Sequence, residues 1–400
     1  MFKRKNMKLA KRTGLISPSP TLAITAKAKQ MKAQGIDVIG FGAGEPDFDT
    51  PLYIKEAAKV SIDAGFTKYT PTSGTEELKK AVCQKLRQDN SLEYETSQVI
   101  ISCGAKHSLF NAIMCACDKG DEVILPSPYW VTYLEQIKLS GAKPVIIETE
   151  EKHGFKLLHK TLRHAVTPRT KCLILNSPAN PTGMVYSKDE LRTIAELAVK
   201  NGFLVISDEV YEKLIYEGTH TSIASFGKEI KDLTIVINGV SKSYSMTGWR
   251  IGYAAGPKNI ISAMANLQDH STSNPASISQ KAALAALAGK DADLHKMVAE
   301  FKARRDYMVD KLNLIPGLSC LKPQGAFYAF PNISKLIGRK IRGQKITGSM
   351  SLTEVLLNEA KVAVIPGLAF GADRYIRLSY ATSMDNIKEG LKRIEETIKA

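Results

Sequence analysis

The central part of the chain alternates short apolar runs with helical patterns. The runs are unbroken and rich in Val and Ile, and they occupy residues 99–101, 122–125, 144–147, 172–175, 203–206 and 234–237. Such runs are typical of strands that are covered on both faces. Helical patterns lie between them at 105–116 and 188–200, and the second opens with the capping box Ser187-Lys188-Asp189-Glu190. This alternation predicts an α/β fold with a mostly parallel sheet.

The two ends of the chain carry a different pattern of shorter elements. Helical patterns occupy 21–34, 289–313 and the residues from 384 onward, and strand patterns occupy 38–41, 326–330, 362–365 and 375–379. We therefore predict a large domain at 50–288, a smaller α+β domain at 289–400, and an N-terminal segment at 1–49 that packs with the smaller domain. The polar, glycine-containing stretch 338–348 predicts a mobile loop.

Composition is ordinary for a soluble globular protein, with 44% hydrophobic and 24% charged residues among 400. No apolar run reaches the ~18 residues that a membrane span needs. The first twelve residues are basic and no apolar stretch follows them, which predicts a disordered lead rather than a secretory signal. The net charge of +15 is spread along the chain among acidic residues. We therefore expect an enzyme for anionic substrates and no nucleic-acid partner.

The six cysteines form no CxxC pair. Their spacing disfavours a zinc site or a disulfide framework, and it is typical of free thiols in a reducing cytosol. We therefore expect a cytoplasmic protein that binds neither a metal ion nor a membrane.

The most informative side chains follow the run 234–237, where Ser241 and Lys242 come shortly before Arg250. A lysine held near apolar surface just past a buried strand has a lowered pKa, and its neutral amine can form an imine with an aldehyde. An arginine nearby can pair with a phosphate in a two-pronged fork. Together these side chains predict a cofactor that carries both an aldehyde and a phosphate, which describes pyridoxal phosphate (PLP).

Other polar or aromatic residues follow the neighbouring strand patterns, at the edge where open α/β sheets bind ligands. Gly104 opens a helix whose backbone N–H groups suit a phosphate, and a plain strand-to-helix turn is the alternative. Trp130 either stacks on a planar cofactor or fills the core. Asn180 lies in a turn with two prolines and either offers an amide in a fixed direction or only shapes the turn.

Asp208 follows the run 203–206, where a buried carboxylate is costly without a partner. A protonated pyridine nitrogen is such a partner, and the carboxylate would keep the ring protonated as an electron sink. Tyr211, three residues later, can donate to the phenolic oxygen of that ring. A helix N-cap is the alternative for Asp208. The convergence of these residues on one sheet edge favours the PLP interpretation over the separate alternatives.

The chain resembles the class I (fold-type I) PLP-dependent aminotransferases, close to the bacterial aspartate aminotransferase group. The resemblance covers nearly the whole chain, and it is carried by GAGEPDF at 42–48, KYTP at 68–71, Tyr129-Trp130, NSPANPTG at 176–183, Ser207-Asp208-Glu209, the lysine segment at 238–252 and RLSY at 377–380. The whole set in this order is very specific. It implies a seven-stranded, mostly parallel sheet between helices, and a homodimer with shared active sites.

The resemblance implies roles for the residues around the cofactor ring. Lys242 forms the imine and then moves a proton between the substrate α-carbon and the cofactor C4′. Asp208 pairs with the pyridine nitrogen, Asn180 and Tyr211 bond the ring oxygen, and Trp130 lies against the ring.

It also implies roles around the phosphate and the substrate. The residues expected at the phosphate are Gly104, Ala105, Lys106, Ser241, Arg250 and, from the neighbouring subunit, Tyr69. Arg377 binds the substrate α-carboxylate bidentately. Gly42 lets the backbone approach the substrate, and Trp130 and Asn180 also border it.

Two positions depart from the family pattern. Many relatives carry a serine three residues before the lysine, where this chain has Gly239, and Ser241 or a backbone N–H is expected to replace that hydroxyl. Several close relatives carry a lysine where this chain has Ser17, and that lysine helps to read the far carboxylate of the substrate.

We therefore predict an aminotransferase that moves an amino group from an L-amino acid, in the first place aspartate or glutamate, to a 2-oxo acid by a ping-pong mechanism. Ser17 in place of that lysine disfavours both aspartate and prephenate. The alternative substrates are aromatic amino acids, or glutamate with prephenate. A PLP-dependent lyase of the same fold is a further alternative. A DNA-binding regulator of this fold is disfavoured because no residues are left for a winged-helix domain.

Overall fold

The computed structural model describes residues 8–18 and 20–400. Its α-helices are α1 Pro20–Ala33, α2 Leu52–Asp63, α3 Glu76–Asn90, α4 Ala105–Ala116, α5 Val131–Ser140, α6 His159–Ala165, α7 Lys188–Asn201, α8 Lys228–Lys231, α9 Lys258–Asp269, α10 Ser277–Ala288, α11 Ala292–Leu314, α12 Ser349–Val355 and α13 Met384–Lys399. Its strands are β1 Ile39–Gly40, β2 Val99–Ser102, β3 Glu122–Ser127, β4 Lys143–Glu148, β5 Thr170–Asn176, β6 Leu204–Asp208, β7 Thr234–Gly239, β8 Gly252–Ala255, β9 Tyr328–Ala329, β10 Lys340–Ile341, β11 Gln344–Lys345, β12 Val362–Ala363, β13 Ile365–Pro366 and β14 Ile376–Ser379.

A seven-stranded sheet with the order β2-β8-β7-β6-β5-β3-β4 lies at the centre. β8 is antiparallel to both of its neighbours, and the other strands run parallel to one another. The carboxyl ends of the parallel strands therefore meet at one edge, together with the amino end of β8. This confirms the predicted mostly parallel sheet. It also explains how Arg250, which precedes β8, reaches the same edge as residues that follow strands.

The strands of the large sheet differ in how completely helices cover them. β2 and β7 are buried along their whole length, as their unbroken apolar runs predict. β4 is the outermost strand on its side, and its Ile146 is 46% exposed. The prediction that the run 144–147 is covered on both faces was therefore wrong. α5 and α6 pack against β4 but leave Ile146 exposed, whereas α3, α4 and α9 cover β2, the outermost strand on the other side.

The two helices that the sequence predicts in the central part of the chain begin and end close to their predicted bounds. α4 matches the predicted range, and α7 extends the predicted 188–200 by one residue. The capping box of α7 is present: the Ser187 hydroxyl accepts from the Glu190 N–H at 3.3 Å, and the Glu190 carboxylate accepts from the Ser187 N–H at 2.7 Å. Local polar bonds therefore set the start of this helix, as the sequence predicts.

The two chain ends form a second core. β1 pairs with β12, and β13, β14 and β9 form a three-stranded antiparallel sheet. The β1–β12 pair joins the N-terminal segment to the C-terminal part of the chain. α11 and α13 pack against each other in a cluster that includes Phe301, Leu378 and Ile394. The domain boundaries at 49/50 and 288/289 stay predictions.

Less regular segments differ from expectation. Residues 338–348, predicted as a loop, contain the antiparallel hairpin β10–β11. Of the predicted disordered lead, residues 1–7 lie outside the described residues, and an exposed 3-10 turn spans Lys11–Leu15. Across the described ranges, no helix combines the length and the apolar character needed to cross a membrane.

Candidate active site

A cavity of about 1000 Å³ opens at the carboxyl edge of the large sheet. Most residues predicted for the site line it, namely Gly42, Ala105, Lys106, Trp130, Asn180, Asp208, Tyr211, Ser241, Lys242, Arg250 and Arg377. They come from both ends of the chain and from its centre, so the fold is what brings them together.

Lys242 lies in the turn after β7 and is partly buried in the cavity. Its ammonium donates to the Gly44 carbonyl. Burial lowers the pKa of Lys242 to about 8, with nearby Glu45 opposing the shift and Arg377 adding to it. A substantial fraction of this amine is therefore neutral near pH 8, which is the form that attacks a carbonyl carbon.

Asp208 ends β6 and is 3% exposed. Its Oδ2 accepts from the Tyr133 hydroxyl at 2.6 Å, and its Oδ1 accepts from the Val210 N–H at 3.3 Å. Burial raises the pKa of Asp208 to about 6, and the hydrogen bond from Tyr133 opposes the rise. Both of these donors are neutral, so a cation in the cavity would complete the charge balance. The residues that follow form a turn and not a helix, which makes the N-cap alternative wrong.

Gly104 and Arg250 shape a recess at the start of α4. Gly104 is the N-cap residue with φ 88°, and a side chain there would overlap the Arg250 guanidinium. Arg250 has a left-handed backbone with φ 58°, and its side chain donates to the carbonyls of Thr247 at 2.8 Å and Cys103 at 3.2 Å. The guanidinium is thereby held beside the amino end of a helix, an arrangement that suits a phosphate.

Gly239 faces Gly252 across the β7–β8 pair. A side chain at Gly239 would lie 3.0 Å from both the Gly252 Cα and the Ile251 carbonyl oxygen, and one at Gly252 would overlap the Ala105 backbone. The two glycines thus allow β8 to approach both β7 and α4, and a serine at position 239 would require this contact to shift. Ser241 lines the cavity and is the nearby hydroxyl.

Arg377 lies in β14 and is 4% exposed. Its Nη1 donates to Asn180 Oδ1 and its Nη2 to the Gly42 carbonyl, both at 3.0 Å, while its Nε is buried without a hydrogen-bond partner in the described structure. The guanidinium lies 4.4 Å from the centre of the Tyr328 ring. None of these partners is a carboxylate, so the guanidinium is suited to bind a carboxylate ligand.

Aromatic rings form part of the cavity wall. The hydroxyls of Tyr211 and Tyr328 are hydrogen-bonded at 2.8 Å. Trp130 contacts Tyr133 edge to face, with 5.4 Å between the ring centres. The Lys106 ammonium lies 4.9 Å from the centre of the Trp130 ring, and burial lowers its pKa. The side chain of Lys106 therefore packs on the Trp130 ring, while its backbone N–H belongs to the first turn of α4.

Two of the predicted site residues do not line the cavity. Gly104 lies directly behind the Arg250 guanidinium. Tyr69 is 93% exposed, and its predicted role concerns the site of another subunit. α2, which precedes it in the chain, also exposes large apolar side chains, namely Leu52, Val60 and Ile62.

Residues 36–394 match the model of the family described as aminotransferase class I and II. The chain belongs to the class I and II aminotransferases.

This aminotransferase is similar to known relatives along its whole length. An aspartate aminotransferase from Geobacillus stearothermophilus is 51% identical, over 98% of this chain and 100% of the relative. An aspartate/prephenate aminotransferase from Nitrosomonas europaea is 46% identical, over 97% of this chain and 99% of the relative. The solved structure of the aspartate aminotransferase from Rhizobium meliloti has a TM-score of 0.95 at 43% identity, over 98% and 99%. The predicted family, fold class and enzyme class are confirmed.

Sequence reasoning missed three residues of the aminotransferase site. Tyr133 bonds the buried aspartate, Tyr328 lies between the site tyrosine and the site arginine, and Glu45 accepts from the Thr247 hydroxyl at 2.7 Å. Tyr133 follows Trp130 by three residues at a helix start, which is the spacing that brings side chains together. Glu45 lies in the motif GAGEPDF, which could have pointed to it, whereas nothing in the sequence alone separates Tyr328 from an ordinary structural residue.

Proposed function

We propose that this aminotransferase uses PLP, attached through Lys242, to move an amino group between an L-amino acid and a 2-oxo acid. The observation that carries the proposal is the meeting, in one cavity, of an amine whose pKa is about 8 and the buried carboxylate of Asp208 with its neutral donors. The amine suits an aldehyde, and the carboxylate suits a protonated pyridine nitrogen. PLP carries both groups.

The recess beside the cavity supports a phosphate on the same ligand. The first turn of α4 offers the backbone N–H groups of Ala105 and Lys106, and Arg250 and Ser241 add a guanidinium and a hydroxyl. Gly104 leaves room for the Arg250 guanidinium, which a side chain at this position would overlap. These donors would hold the phosphate by charge-assisted hydrogen bonds at a helix start.

The reaction places each residue at a defined atom. When bound, PLP supplies a ring that takes up the electron pair left at the substrate α-carbon. After the amino group of the substrate has displaced it from the cofactor, the neutral amine of Lys242 would take the α-proton and deliver it to the cofactor C4′. Asp208 would keep the ring nitrogen protonated, Asn180 and Tyr211 would bond the ring oxygen, and Trp130 would cover the ring. One amine held beside both carbon atoms makes the proton transfer intramolecular.

Arg377 is proposed to bind the substrate α-carboxylate. Its Nε is free for such a bond, and Asn180 and the Gly42 carbonyl fix the plane of the guanidinium. A side chain at Gly42 would lie 3.1 Å from Ile365 Cδ1, and glycine avoids this tight contact next to the guanidinium. Its backbone is proposed to approach the substrate. The bidentate bond fixes the α-carbon in front of the amine.

We propose aspartate or glutamate as the amino donor. The cavity is lined by seven cationic side chains against three carboxylates, which favours a substrate with two negative charges. Lys106 is the cation proposed for the far carboxylate, because its ammonium lies on the Trp130 ring and pairs with no carboxylate among the described residues. Ser17 brings no cation, and its N–H donates to Glu135 at 3.0 Å.

Prephenate is a second candidate acceptor. Relatives from Nitrosomonas europaea and Aquifex aeolicus are named as known or probable aspartate/prephenate aminotransferases. Prephenate also carries two carboxylates, so it places the same demand on Arg377 and Lys106.

We infer a homodimer in which Tyr69 reaches the phosphate of the neighbouring subunit. Its 93% exposure, and that of the apolar side chains of α2, support a covering surface on a second copy. The six free cysteines support a cytoplasmic location.

Spectra of the PLP-loaded protein test the function. We expect the cofactor absorbance band to shift when L-aspartate or L-glutamate is added, and to return when 2-oxoglutarate, oxaloacetate or prephenate follows. A shift with aromatic amino acids alone would replace the proposed donor and leave transamination in place. Release of pyruvate or ammonia without an acceptor would favour a lyase, and no shift with any amino acid would refute both.

A further inference from the structure

Glu212 is the centre of a buried polar cluster next to the active-site segment. Its carboxylate accepts from Asn90 Nδ2 at 2.7 Å, from Asn238 Nδ2 at 2.8 Å and from the Lys85 ammonium. The side chains of Lys85 and Glu212 are 8% and 5% exposed. The donors lie on α3 and β7, so one carboxylate joins a helix and a central strand to the turn after β6.

The cluster keeps this carboxylate ionised inside the protein. Burial alone would raise the pKa of the Glu212 carboxyl, but Lys85, His220 and Asn90 outweigh burial and lower it to about 2. Glu209 lies beside it and contacts His220 at 3.0 Å. One carboxylate oxygen from each of the two glutamates and one ring nitrogen of the histidine lie within 4.8 Å of one another. The Lys85 ammonium pairs with Glu212 and balances its negative charge. An ionised carboxylate makes stronger hydrogen bonds than a neutral group, which matters for holding a position.

The cluster connects the two segments that carry the site. Glu212 comes four residues after Asp208, and its partner Asn238 comes four residues before Lys242. Asn238 also accepts from the Gly239 N–H at 2.7 Å, where the lysine turn begins. The bond between Glu212 and Asn238 therefore spans the carboxyl ends of β6 and β7, directly behind the residues that act on the substrate.

We propose that Glu212 is a positioning residue, which fixes the spacing between Asp208 and Lys242 by binding Asn238 while Lys85 holds its carboxylate. Glu212 does not line the cavity. The inference rests on the proposed PLP-dependent reaction. It adds that the geometry of the amine and the aspartate depends on a charged group behind them, and not only on the strands that carry them.

Matched substitutions separate positioning from stability. Glu212→Gln keeps the side-chain shape but removes the charge that Lys85 balances. Glu122→Gln is the control, because Glu122 is 3% exposed at the amino end of β3 and accepts from Thr167, Arg169 and Lys143. Both substitutions remove a carboxylate with three donors. Glu212 lies in the turn that follows Asp208, whereas Glu122 lies at the opposite edge of the sheet.

The measurements are the affinity of the cofactor-free proteins for PLP and the single-turnover rate of the loaded proteins with an amino donor, at a temperature where all are folded. We expect Glu212→Gln to weaken PLP binding about 10-fold and to slow the single turnover by roughly 10- to 100-fold, with little change in the donor concentration that gives half of the maximal rate. Glu122→Gln should stay within about twofold of the wild type in both measurements, although both variants lower Tm.

The outcomes decide between the two roles. Wild-type-like PLP affinity and turnover in Glu212→Gln would overturn the positioning role and leave a structural one. If Glu212→Gln does not fold, Lys85→Met combined with Glu212→Met replaces the charged pair by apolar groups. A folded double variant with slow turnover supports the proposal, and one with wild-type turnover overturns it. A wild-type protein that binds no PLP overturns this inference and the proposed function together.

Discussion

At the scale of single residues, burial shifts the pKa of the site lysine and of the site aspartate in opposite directions. It lowers the pKa of Lys242 to about 8 and raises that of Asp208 to about 6. The amine thereby becomes a nucleophile and base near neutral pH, and the carboxylate gains a strong preference for a cationic partner. Arg377 stays charged and is held by neutral groups, which leaves its charge available to a ligand.

The pKa of Lys242 predicts how the cofactor-free protein reacts with PLP. The neutral amine is the reactive form, so the rate should rise with pH and level off above about pH 8. Stopped-flow absorbance measures this rate. Lys242→Ala should abolish the absorbance change that follows the reaction with PLP, and it should abolish transamination, while the fold is kept. A midpoint near the ordinary lysine value of ~10.4 would show that burial does not act on this amine.

We expect Arg377→Lys to weaken substrate binding and to leave cofactor binding intact. Lysine keeps the charge but loses the planar fork that Asn180 and Gly42 orient. We expect kcat/KM for aspartate to fall by roughly 10- to 100-fold, equivalent to the ~1.5–3 kcal/mol of a charged hydrogen bond. Steady-state kinetics measure this loss, and PLP affinity serves as the control. An unchanged kcat/KM would remove Arg377 from the substrate site.

At the scale of elements, the segment 42–48 is tied to α11. The Arg304 guanidinium bonds both carboxylate oxygens of Asp47, at 2.8 and 3.0 Å, and lies 5.1 Å from the centre of the Phe48 ring. The same segment supplies the carbonyls of Gly42 and Gly44, which bond the site arginine and the site lysine. A long helix outside the cavity therefore holds the backbone at its mouth.

We expect Arg304→Met to lower both the stability and the activity of the protein. The Arg304 side chain is 8% exposed, and its removal leaves Asp47 without its partner, so we expect unfolding to become easier by about 1–3 kcal/mol. The kcat/KM should fall as well, because the Gly42 and Gly44 carbonyls lose their support. Urea unfolding and kinetics measure the two effects.

Arg393→Met is the matched control for that loss. Arg393 pairs with Asp37 and Glu389, which are 80% and 46% exposed, and exposed pairs contribute little. We expect its effect on stability to stay below about 1 kcal/mol and its kinetics to match the wild type. Equal losses in both variants would mean that the Arg304 contact has no special link to the site.

At the scale of the whole molecule, one sheet edge gathers residues from the entire chain, and one predicted residue lies outside it. Tyr69 is exposed on the single chain, so its proposed phosphate contact requires a second subunit. In a symmetric dimer the contact is reciprocal, and each site combines one subunit's Lys242 with the other subunit's Tyr69.

Mixed dimers test this arrangement. Tyr69→Ala and Lys242→Ala each damage both sites of their own dimers. After the two variants are unfolded and refolded together, hybrid dimers should contain one intact site, so about a quarter of all sites should work. Activity of the mixture above the mean of the two separate variants is the expected result. Activity equal to that mean would place Tyr69 outside a shared site.

The sequence by itself determined the local structure and the type of chemistry. Unbroken apolar runs predicted the central strands, a capping box predicted the start of α7, and the position of Lys242 and Asp208 after such runs predicted their place at the sheet edge. These inferences hold because each depends on a few neighbouring residues, whose periodicity and side-chain chemistry are visible in the chain.

Only the tertiary structure decided how distant residues complete the site. The antiparallel direction of β8 brings Arg250 to the recess at the start of α4, Tyr133 bonds Asp208 across 75 positions, and Asn238 bonds Glu212 across 26. No local pattern encodes these pairs, because the direction of a strand and the partner of a buried polar group are set by packing between elements. Hydrophobic periodicity therefore predicts where the strands lie, and contacts between them decide how an amine and a carboxylate at their ends are spaced.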